Sequence, residues 1–172
     1  MKLWALLLFA VVSQFGFAAG TALPAVAHVD LARYSGTWYE IARYPNWFER
    51  DCVSDVTAQY AMRSDGKVTV RNACRKGNGK TKVSNGTAKI LDTTSNAKLK
   101  VSFFWPFSGD FWIIDLAPGY EYAVVGEPSR KYLWILSRSA QLTPAVYDQI
   151  SARLRELGYD PAKLVKTQQG SH

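Results

Sequence analysis

Histidine and cysteine are scarce in this chain, which has two of each among its 172 residues. The histidines, His28 and His172, lie far apart, so neither cysteine has an evident basic partner to hold a catalytic thiolate. Clustered ligands for haem or a metal ion are lacking too. Close carboxylates are also few, Glu49 and Asp51 in a predicted loop being the obvious pair. We therefore expect no enzymatic activity, no cofactor and no metal.

The first 27 residues lack charge except at Lys2, which precedes an apolar run from Leu3 to Val12. This pattern is typical of a secretory signal peptide, and the run is too short for a comfortable membrane span. The small residues favour cleavage near Ala27, with cleavage near Ala18 as the alternative. The expected domains are therefore a signal peptide at 1–27 and a single domain at 28–172.

Export also bears on the two cysteines, Cys52 and Cys74. An even cysteine count in an exported chain favours one disulfide over a free thiol. Neither cysteine directly follows the apolar run, so we expect no lipid anchor. The expected location is the periplasm or the exterior, including the periphery of the outer membrane.

Short segments rich in β-branched and aromatic residues fill most of the chain, each followed by a turn signal. They lie at about 37–45, 53–62, 67–75, 81–91, 97–104, 110–116, 121–127 and 131–138. Short turns such as Asp65-Gly66 and Asn78-Gly79 indicate that consecutive strands pair antiparallel. Eight strands suffice to close a small barrel. The predicted fold class is all-β, an eight-stranded up-and-down antiparallel β-barrel.

One segment departs from the strand pattern. Thr143 is a suitable helix N-cap, Pro144 suits the first helical position, and Gly158 is a natural helix stop. Apolar residues recur between them at helical spacing, at Val146, Ile150, Leu154 and Leu157. We expect one C-terminal α-helix packed on the outside of the barrel.

Three stretches resemble the lipocalin family. Gly36-Thr37-Trp38 is similar to the G-x-W motif that opens the first lipocalin strand, and 132–138 resembles the last barrel strand with its closing arginine, Arg138. The stretch 100–107 is very similar to the fifth strand of bacterial, outer-membrane-type lipocalins and apolipoprotein D. The resemblance covers about residues 30–168 and departs from the family at 117–122, where many lipocalins have Thr-Asp-Tyr.

The resemblance implies that Trp38 and Arg138 form a structural pair that closes one end of the barrel. A guanidinium stacked on an indole gains a cation–π contact and donates to carbonyls left unpaired where the barrel narrows. This pair is accordingly kept apart from the ligand site.

The interior lining follows from strand alternation and from the same resemblance. If Trp38 points inward, Glu40 and Ala42 point inward as well. The predicted ligand-binding residues are mostly apolar, a mixture that suits a cavity: Tyr60, Val70, Asn72, Ala88, Val101, Phe103, Phe111, Val125, Tyr132 and Trp134. The alternative is that they fill a solid core.

The open end of such a barrel is expected to have an apolar rim formed by Trp47, Phe48 and Phe107. Arg50 or Lys100 would be available there to a carboxylate or phosphate.

The predicted function is non-catalytic binding, storage or transport of a small hydrophobic ligand. The resemblance to bacterial lipocalins implies a fatty acid or lysophospholipid, and peripheral contact with a membrane surface is a further expectation. A lipocalin-type enzyme, an isomerase or de-epoxidase, is the alternative. The net charge of +7 also raises nucleic-acid binding, but the strand count and the interior aromatics disfavour it, and no nucleic acid partner is expected.

Overall fold

The computed structural model describes residues 22–170, in which all eight predicted strands are present. The strands are β1 (Gly36–Arg43), β2 (Cys52–Met62), β3 (Val68–Lys76), β4 (Thr81–Ile90), β5 (Lys98–Phe104), β6 (Phe107–Leu116), β7 (Tyr122–Gly126) and β8 (Leu133–Ser137). A short helix, α1 (Leu31–Tyr34), precedes them, and α2 (Pro144–Glu156) and a two-residue strand, β9 (Val165–Lys166), follow.

The strands form a closed barrel. Each pairs antiparallel with the next in sequence, and β1 pairs with both β8 and β2. The turns contain the expected glycines, with Gly66 and Gly79 at φ of 77° and 78°, a region that glycine adopts without steric cost. The predicted eight-stranded up-and-down barrel is confirmed.

Helix α2 packs on the outside of this barrel, as predicted. It begins after Thr143, whose hydroxyl accepts a hydrogen bond from the Val146 N–H, and it ends before Gly158. Ile150 and Leu154 are fully buried against Val124, Leu133 and neighbouring outer-face residues. No helix within residues 22–170 is long and apolar enough to cross a membrane.

The alternation expected along β1 is interrupted by a bulge. Glu40 pairs with Leu136 of β8, but Ala42, not Ile41, pairs with the next residue, Ile135. The prediction that Ala42 points inward is therefore wrong: the extra residue at Ile41 shifts the phase, and Ala42 packs against the outer cluster under α2. Arg43 is turned inward instead, opposite Trp134.

The disulfide is confirmed, since Cys52 and Cys74 are bonded with their Cα atoms 5.5 Å apart. It joins the start of β2 to the end of β3, beside the loop that follows β1. A covalent tie at this point limits how far that loop can move away from the barrel.

One end of the barrel is covered by the segment that carries α1. The Val29 N–H donates to the Ser95 carbonyl (2.7 Å), and the Asp30 N–H donates to the Tyr120 hydroxyl (2.9 Å). Trp38 lies just above, fully buried, and its indole N–H donates to the Tyr34 carbonyl (2.8 Å). These contacts make it the closed end.

Arg138 ties α1 to the barrel. Its guanidinium carbon lies 3.8 Å from the centroid of the Trp38 ring. The same group donates hydrogen bonds to four carbonyl oxygens, those of Arg33, Tyr34, Ser35 and Thr37, at 2.6–3.1 Å. The two members of the predicted barrel-closing pair are thus in contact.

The chain before α1 also packs on the barrel. Leu23 is buried in the outer cluster, and the Val26 N–H donates to the Ile113 carbonyl (2.9 Å). Cleavage after Ala27 would remove these contacts, whereas cleavage near Ala18 would keep them. Residues 1–21, which hold the rest of the predicted signal peptide, lie outside the described part of the chain.

The C-terminal tail fills a seam between β1 and β2. Strand β9 pairs with Ala42 and Arg43 of β1, beyond the point where β1 leaves β2. Further on, the Gln169 side-chain amide donates to the carbonyls of Glu40 (2.7 Å) and Val56 (2.9 Å). The tail thereby supplies the backbone partners that the separated strands lack.

Replacing Arg138 with alanine is expected to lower the free energy of unfolding by roughly 2–3 kcal/mol, because carbonyls bonded to a charged donor lose their partner. Urea denaturation measures this loss. Arg33→Ala is the control, because that side chain stacks on Tyr120 at the surface and makes one hydrogen bond to the Pro118 carbonyl. An Arg138→Ala midpoint equal to that of the wild type would contradict the structural role.

Candidate functional site

The predicted ligand-binding residues divide between two halves of the barrel. Six lie among the apolar residues of the lower half, and Trp134 of the upper half packs against the same cluster; the six are Tyr60, Val70, Ala88, Val101, Phe111 and Val125. All are buried except Phe111, which is partly exposed. The lower half is therefore a dry, apolar space lined by several strands.

The lower half is closely filled. The cavity bounded by Tyr34, Tyr60, Leu99 and Phe111 has a volume of about 10 Å³, roughly the space of one water molecule. Tyr34 and Tyr60 contact each other at 5.4 Å between ring centroids, and Tyr60 contacts Phe111 at 5.8 Å. An alkyl chain fits here only after some of these rings turn aside.

The other four predicted residues, Asn72, Phe103, Tyr132 and Trp134, are partly exposed. The Phe103 ring lies over Gly86, where an added Cβ would come within 2.9 Å of the ring. Tyr132 and Trp134, two residues apart on the same face, are stacked with their centroids 6.0 Å apart. The upper half of the barrel is thus aromatic and open to water.

The loop between β1 and β2 folds over this upper half. Phe48 lies against Tyr132 and Trp134, at centroid distances of 5.6 and 6.3 Å. The Lys82 ammonium, near the start of β4, donates to the Phe48 carbonyl (2.9 Å). Phe48 therefore covers the aromatic pair, and it stays 38% exposed beside Trp47.

Glu49 fixes the same loop from inside. Its Oε2 accepts hydrogen bonds from the Trp134 indole N–H (3.1 Å) and from the Asn46 side-chain amide. The Arg43 Nε lies 3.7 Å from that oxygen. The sequence pairs Glu49 with Asp51, but Asp51 instead faces Arg50 and Lys76 on the surface.

Glu40 completes an interior polar cluster with Arg43 and Glu49. Its Oε1 accepts a hydrogen bond from Arg43 Nη1 (2.7 Å) and another from the Thr167 hydroxyl of the C-terminal tail. The Glu40 side chain is only 3% exposed, and those of Arg43 and Glu49 are 12% and 14% exposed. Two carboxylates thus share a single guanidinium in a largely dry environment.

This environment changes the acidity of the cluster. Burial, and secondarily the charge of Glu49, raises the pKa of Glu40 from 4.5 to about 7, against the opposing contacts of Thr167 and Arg43. Burial also raises the pKa of Tyr60, helped by the charges of Glu49 and Glu40. Tyr60 stays neutral, and Glu40 changes protonation near neutral pH.

Arg43, Asn46, Glu49 and Thr167 are the polar residues that the sequence alone does not assign to the interior. Strict alternation from Trp38 puts Arg43 outside, and only the bulge at Ile41 reverses it. Thr167 is 127 residues from Glu40, and its arrival depends on the tail lying in the seam. Such long-range placement leaves no local sequence signal.

The exposed aromatic residues at the open end differ in part from the predicted rim. Trp47 is 69% exposed and Phe107 72% exposed, and they are accompanied by Phe104 (70%) and Trp105 (91%). Arg50 and Lys100 are at the surface and face Asp51 (3.9 Å) and Asp110 (3.8 Å). We call Trp47, Phe104, Trp105 and Phe107 the aromatic rim.

Within residues 22–170, no group of three or more histidine, cysteine or acidic side chains is arranged so that it could bind a metal ion. The interior carboxylates are held by a guanidinium and by neutral donors. This site can therefore bind a ligand through hydrogen bonds, charge and a large apolar surface.

Comparison with known proteins finds a family match over most of the chain. A family described as "Lipocalin-like domain" matches residues 29–169. Temperature-induced lipocalin-1 of Arabidopsis thaliana is 41% identical over 152 residues, which cover 84% of this chain and 81% of the relative. Outer membrane lipoprotein Blc of Escherichia coli K12 is 41% identical over 145 residues, with the same coverage.

Among solved structures, insecticyanin from the tobacco hornworm, Manduca sexta, is similar with a TM-score of 0.71 and 22% identity. The match covers 88% of this chain and 86% of that one. At this identity the likeness concerns the fold, and it agrees with the closed barrel described above.

Raising the pH from 5 to 8 is expected to destabilise the protein through Glu40. Its pKa is about 7 when folded, against 4.5 as the ordinary value, so the folded state holds the proton more tightly and loses stability as pH rises between these values. Glu40→Gln should remove this loss, on the order of 1–3 kcal/mol. Urea denaturation of both proteins at the two pH values measures it.

The groups facing Glu40, namely Arg43, Glu49 and Thr167, are unchanged in that variant, so the comparison isolates one carboxyl group. An identical pH dependence in Glu40→Gln and the wild type would contradict the raised pKa.

Proposed function

The chain belongs to the lipocalin-like family, and we propose that it binds a small hydrophobic ligand, a fatty acid or lysophospholipid, inside its barrel for storage or transport. The observation that carries the proposal is the lining: an apolar lower half beneath an aromatic and polar mouth. Such a division matches an amphiphile with a tail and a head group.

The orientation of the ligand follows from the division of the barrel into an apolar lower half and a polar upper half. The small cavity of the lower half is lined by apolar and neutral side chains, among them Tyr60, Leu99 and Phe111, so it suits an alkyl chain. The charged residues Glu40, Arg43 and Glu49 lie in the upper half, beside Trp134. A ligand therefore enters tail first and keeps its head group at or above the level of Trp134.

Binding requires the barrel to open in two places. Phe48 must leave Tyr132 and Trp134, and the Tyr60 and Phe111 rings must turn to enlarge a cavity of about 10 Å³. Aromatic rotation in a lining of this kind is a change of side chains, which many binding sites undergo without backbone movement.

We propose no catalytic step. The alternative, a lipocalin-type isomerase or de-epoxidase, needs a proton-transfer group at the reacting atoms. Within the interior of the described barrel Glu40 is the candidate, since its pKa of about 7 would suit an acid or base. Its Oε1 is, however, held by Arg43 and Thr167, and we assign its other oxygen to binding of the head group.

We propose further that the protein is exported and works in the periplasm, at the periphery of the outer membrane, or outside the cell. The disulfide fits an oxidising compartment. Because it uses both cysteines of the sequence, neither is available for acylation. The packing of Leu23 and Val26 on the barrel favours a signal cut near Ala18.

Titration with palmitate or with palmitoyl-lysophosphatidylethanolamine is expected to change the tryptophan fluorescence saturably. Trp134 should supply most of the change because its ring faces the ligand and its N–H bonds Glu49. Trp134→Phe should therefore lose most of the signal.

The control is Trp112→Phe, since Trp112 packs in the outer cluster under α2. Saturable binding with an unchanged signal in Trp134→Phe would contradict the proposed location. Absence of any response to either lipid would contradict the proposed function.

Contact with a membrane surface is the second part of the proposal. The aromatic rim exposes four large rings at the open end, an unusual apolar surface for a soluble domain. The hairpin between β3 and β4 places Lys76, Lys80 and Lys82 at the same end. Aromatic rings beside lysines suit an interface with anionic lipid head groups.

Vesicles containing anionic phosphatidylglycerol should therefore bind the protein more strongly than phosphatidylcholine vesicles. Trp105→Ser combined with Phe107→Ser is expected to reduce binding about tenfold or more, since two exposed rings no longer leave water. Cosedimentation measures the bound fraction.

Leu91→Ser is the matched control, because Leu91 is an exposed apolar residue directly after β4, at the closed end. Equal binding by the rim double variant and the wild type would contradict the proposed membrane contact.

A further inference from the structure

We infer that the barrel selects amphiphiles with a primary ammonium group over those with a carboxylate, and that Glu40 and Glu49 make this choice. The inference rests on the proposed ligand binding and adds the charge of the head group. It comes from the net negative charge of the Glu40, Arg43 and Glu49 cluster and from unpaired acceptor oxygens among the inward-facing polar residues.

The first part of the imbalance is in the charges. Glu40 and Glu49 both contact Arg43, which supplies a single positive charge. When both carboxylates are ionised the cluster keeps one uncompensated negative charge at low exposure. An unpaired charge away from water is costly, and a ligand cation would offset that cost.

The second part is in the carboxylate oxygens. The contacts of Glu40 with Arg43 and Thr167 are all made by Oε1. Those of Glu49 with Asn46, Trp134 and Arg43 are all made by Oε2. No donor within residues 22–170 contacts the other oxygen of either residue, so each carboxylate keeps one oxygen for a ligand.

The third part is independent of the acidic residues. Asn72 Oδ1 is buried and has no hydrogen-bond partner in the described part of the chain. Asn72 pairs with Ala58 across β2 and with Ser84 across β4, in the row of inward-facing residues that includes Trp38. A buried acceptor without a donor calls for a donor from outside the protein.

An ammonium group fits the negative charge and the free carboxylate oxygens together, and the unpaired Asn72 Oδ1 is a further inward-facing acceptor. It has a positive charge and three N–H donors and no acceptor. Beside it, Tyr132 and Trp134 present aromatic rings, and cations are attracted to ring faces. A carboxylate head group would add a third negative charge beside Glu40 and Glu49 and supplies no donor to their oxygens. Arg43 is the only cation of this cluster; its Nη1 is bonded to Glu40 and Thr167, and its Nε has no hydrogen-bond partner within residues 22–170.

The test is displacement of the neutral fluorescent probe N-phenyl-1-naphthylamine by three compounds with the same chain: dodecylammonium, dodecanoate and dodecanol. At pH 8 dodecylammonium is expected to displace the probe at a concentration about tenfold lower than dodecanoate, the size of one favourable buried charge contact. Glu49→Gln should abolish most of this preference. Glu40→Gln provides a second, independent variant.

Glu121→Gln is the charge-matched control, because Glu121 is exposed in the loop before β7 at the closed end. It should keep the full preference. Lysophosphatidylethanolamine against lysophosphatidylglycerol with equal acyl chains then separates a phospholipid source of the ammonium group from a free alkylamine.

Equal displacement by dodecylammonium and dodecanoate would overturn the inference, as would a preference that survives in both Glu49→Gln and Glu40→Gln. If dodecanol still displaces the probe in either of these cases, the proposed binding of a hydrophobic ligand inside the barrel is unaffected. Failure of all three compounds to displace it would instead overturn the proposed function, and the inference with it.

Discussion

A single extra residue in β1 determines what faces the inside of this barrel. The bulge at Ile41 puts Ala42 under α2 and turns Arg43 inward, opposite Trp134. Without that change of phase the interior would hold Glu40 with no cation beside it, which is costly in a dry space. After the bulge, the end of β1 pairs with β9. The position of the C-terminal tail between β1 and β2 and the inward orientation of Arg43 therefore both depend on the bulge.

The two ends of the barrel use charge differently. At the closed end Arg138 meets an aromatic face and four carbonyl dipoles, so its positive charge is satisfied without a carboxylate. At the open end Arg43 meets two carboxylates, and the balance is negative. The first arrangement is complete and structural, whereas the second leaves acceptors unpaired, which is typical of a binding site.

The fold and the lower half of the site could be predicted from the sequence because both depend on local pattern. Two-residue alternation, aligned by the resemblance to lipocalins, predicted Tyr60, Val70 and Val101 as inward, and Thr143 and Gly158 bounded the helix. The polar cluster could not be predicted in this way. Its members depend on a bulge and on a tail that arrives from the far end of the chain. The contact of Phe48 with Trp134 and Tyr132 likewise depends on the fold of the loop after β1.

The most direct test of the central claim, that the barrel holds a small hydrophobic molecule, is native mass spectrometry of the protein purified from the cells that make it. We expect the folded protein to carry one bound molecule, released on denaturation and identifiable in a lipid extract as an amphiphile with one alkyl chain. A spectrum with only the mass of the protein, together with an extract free of lipid, would contradict the claim.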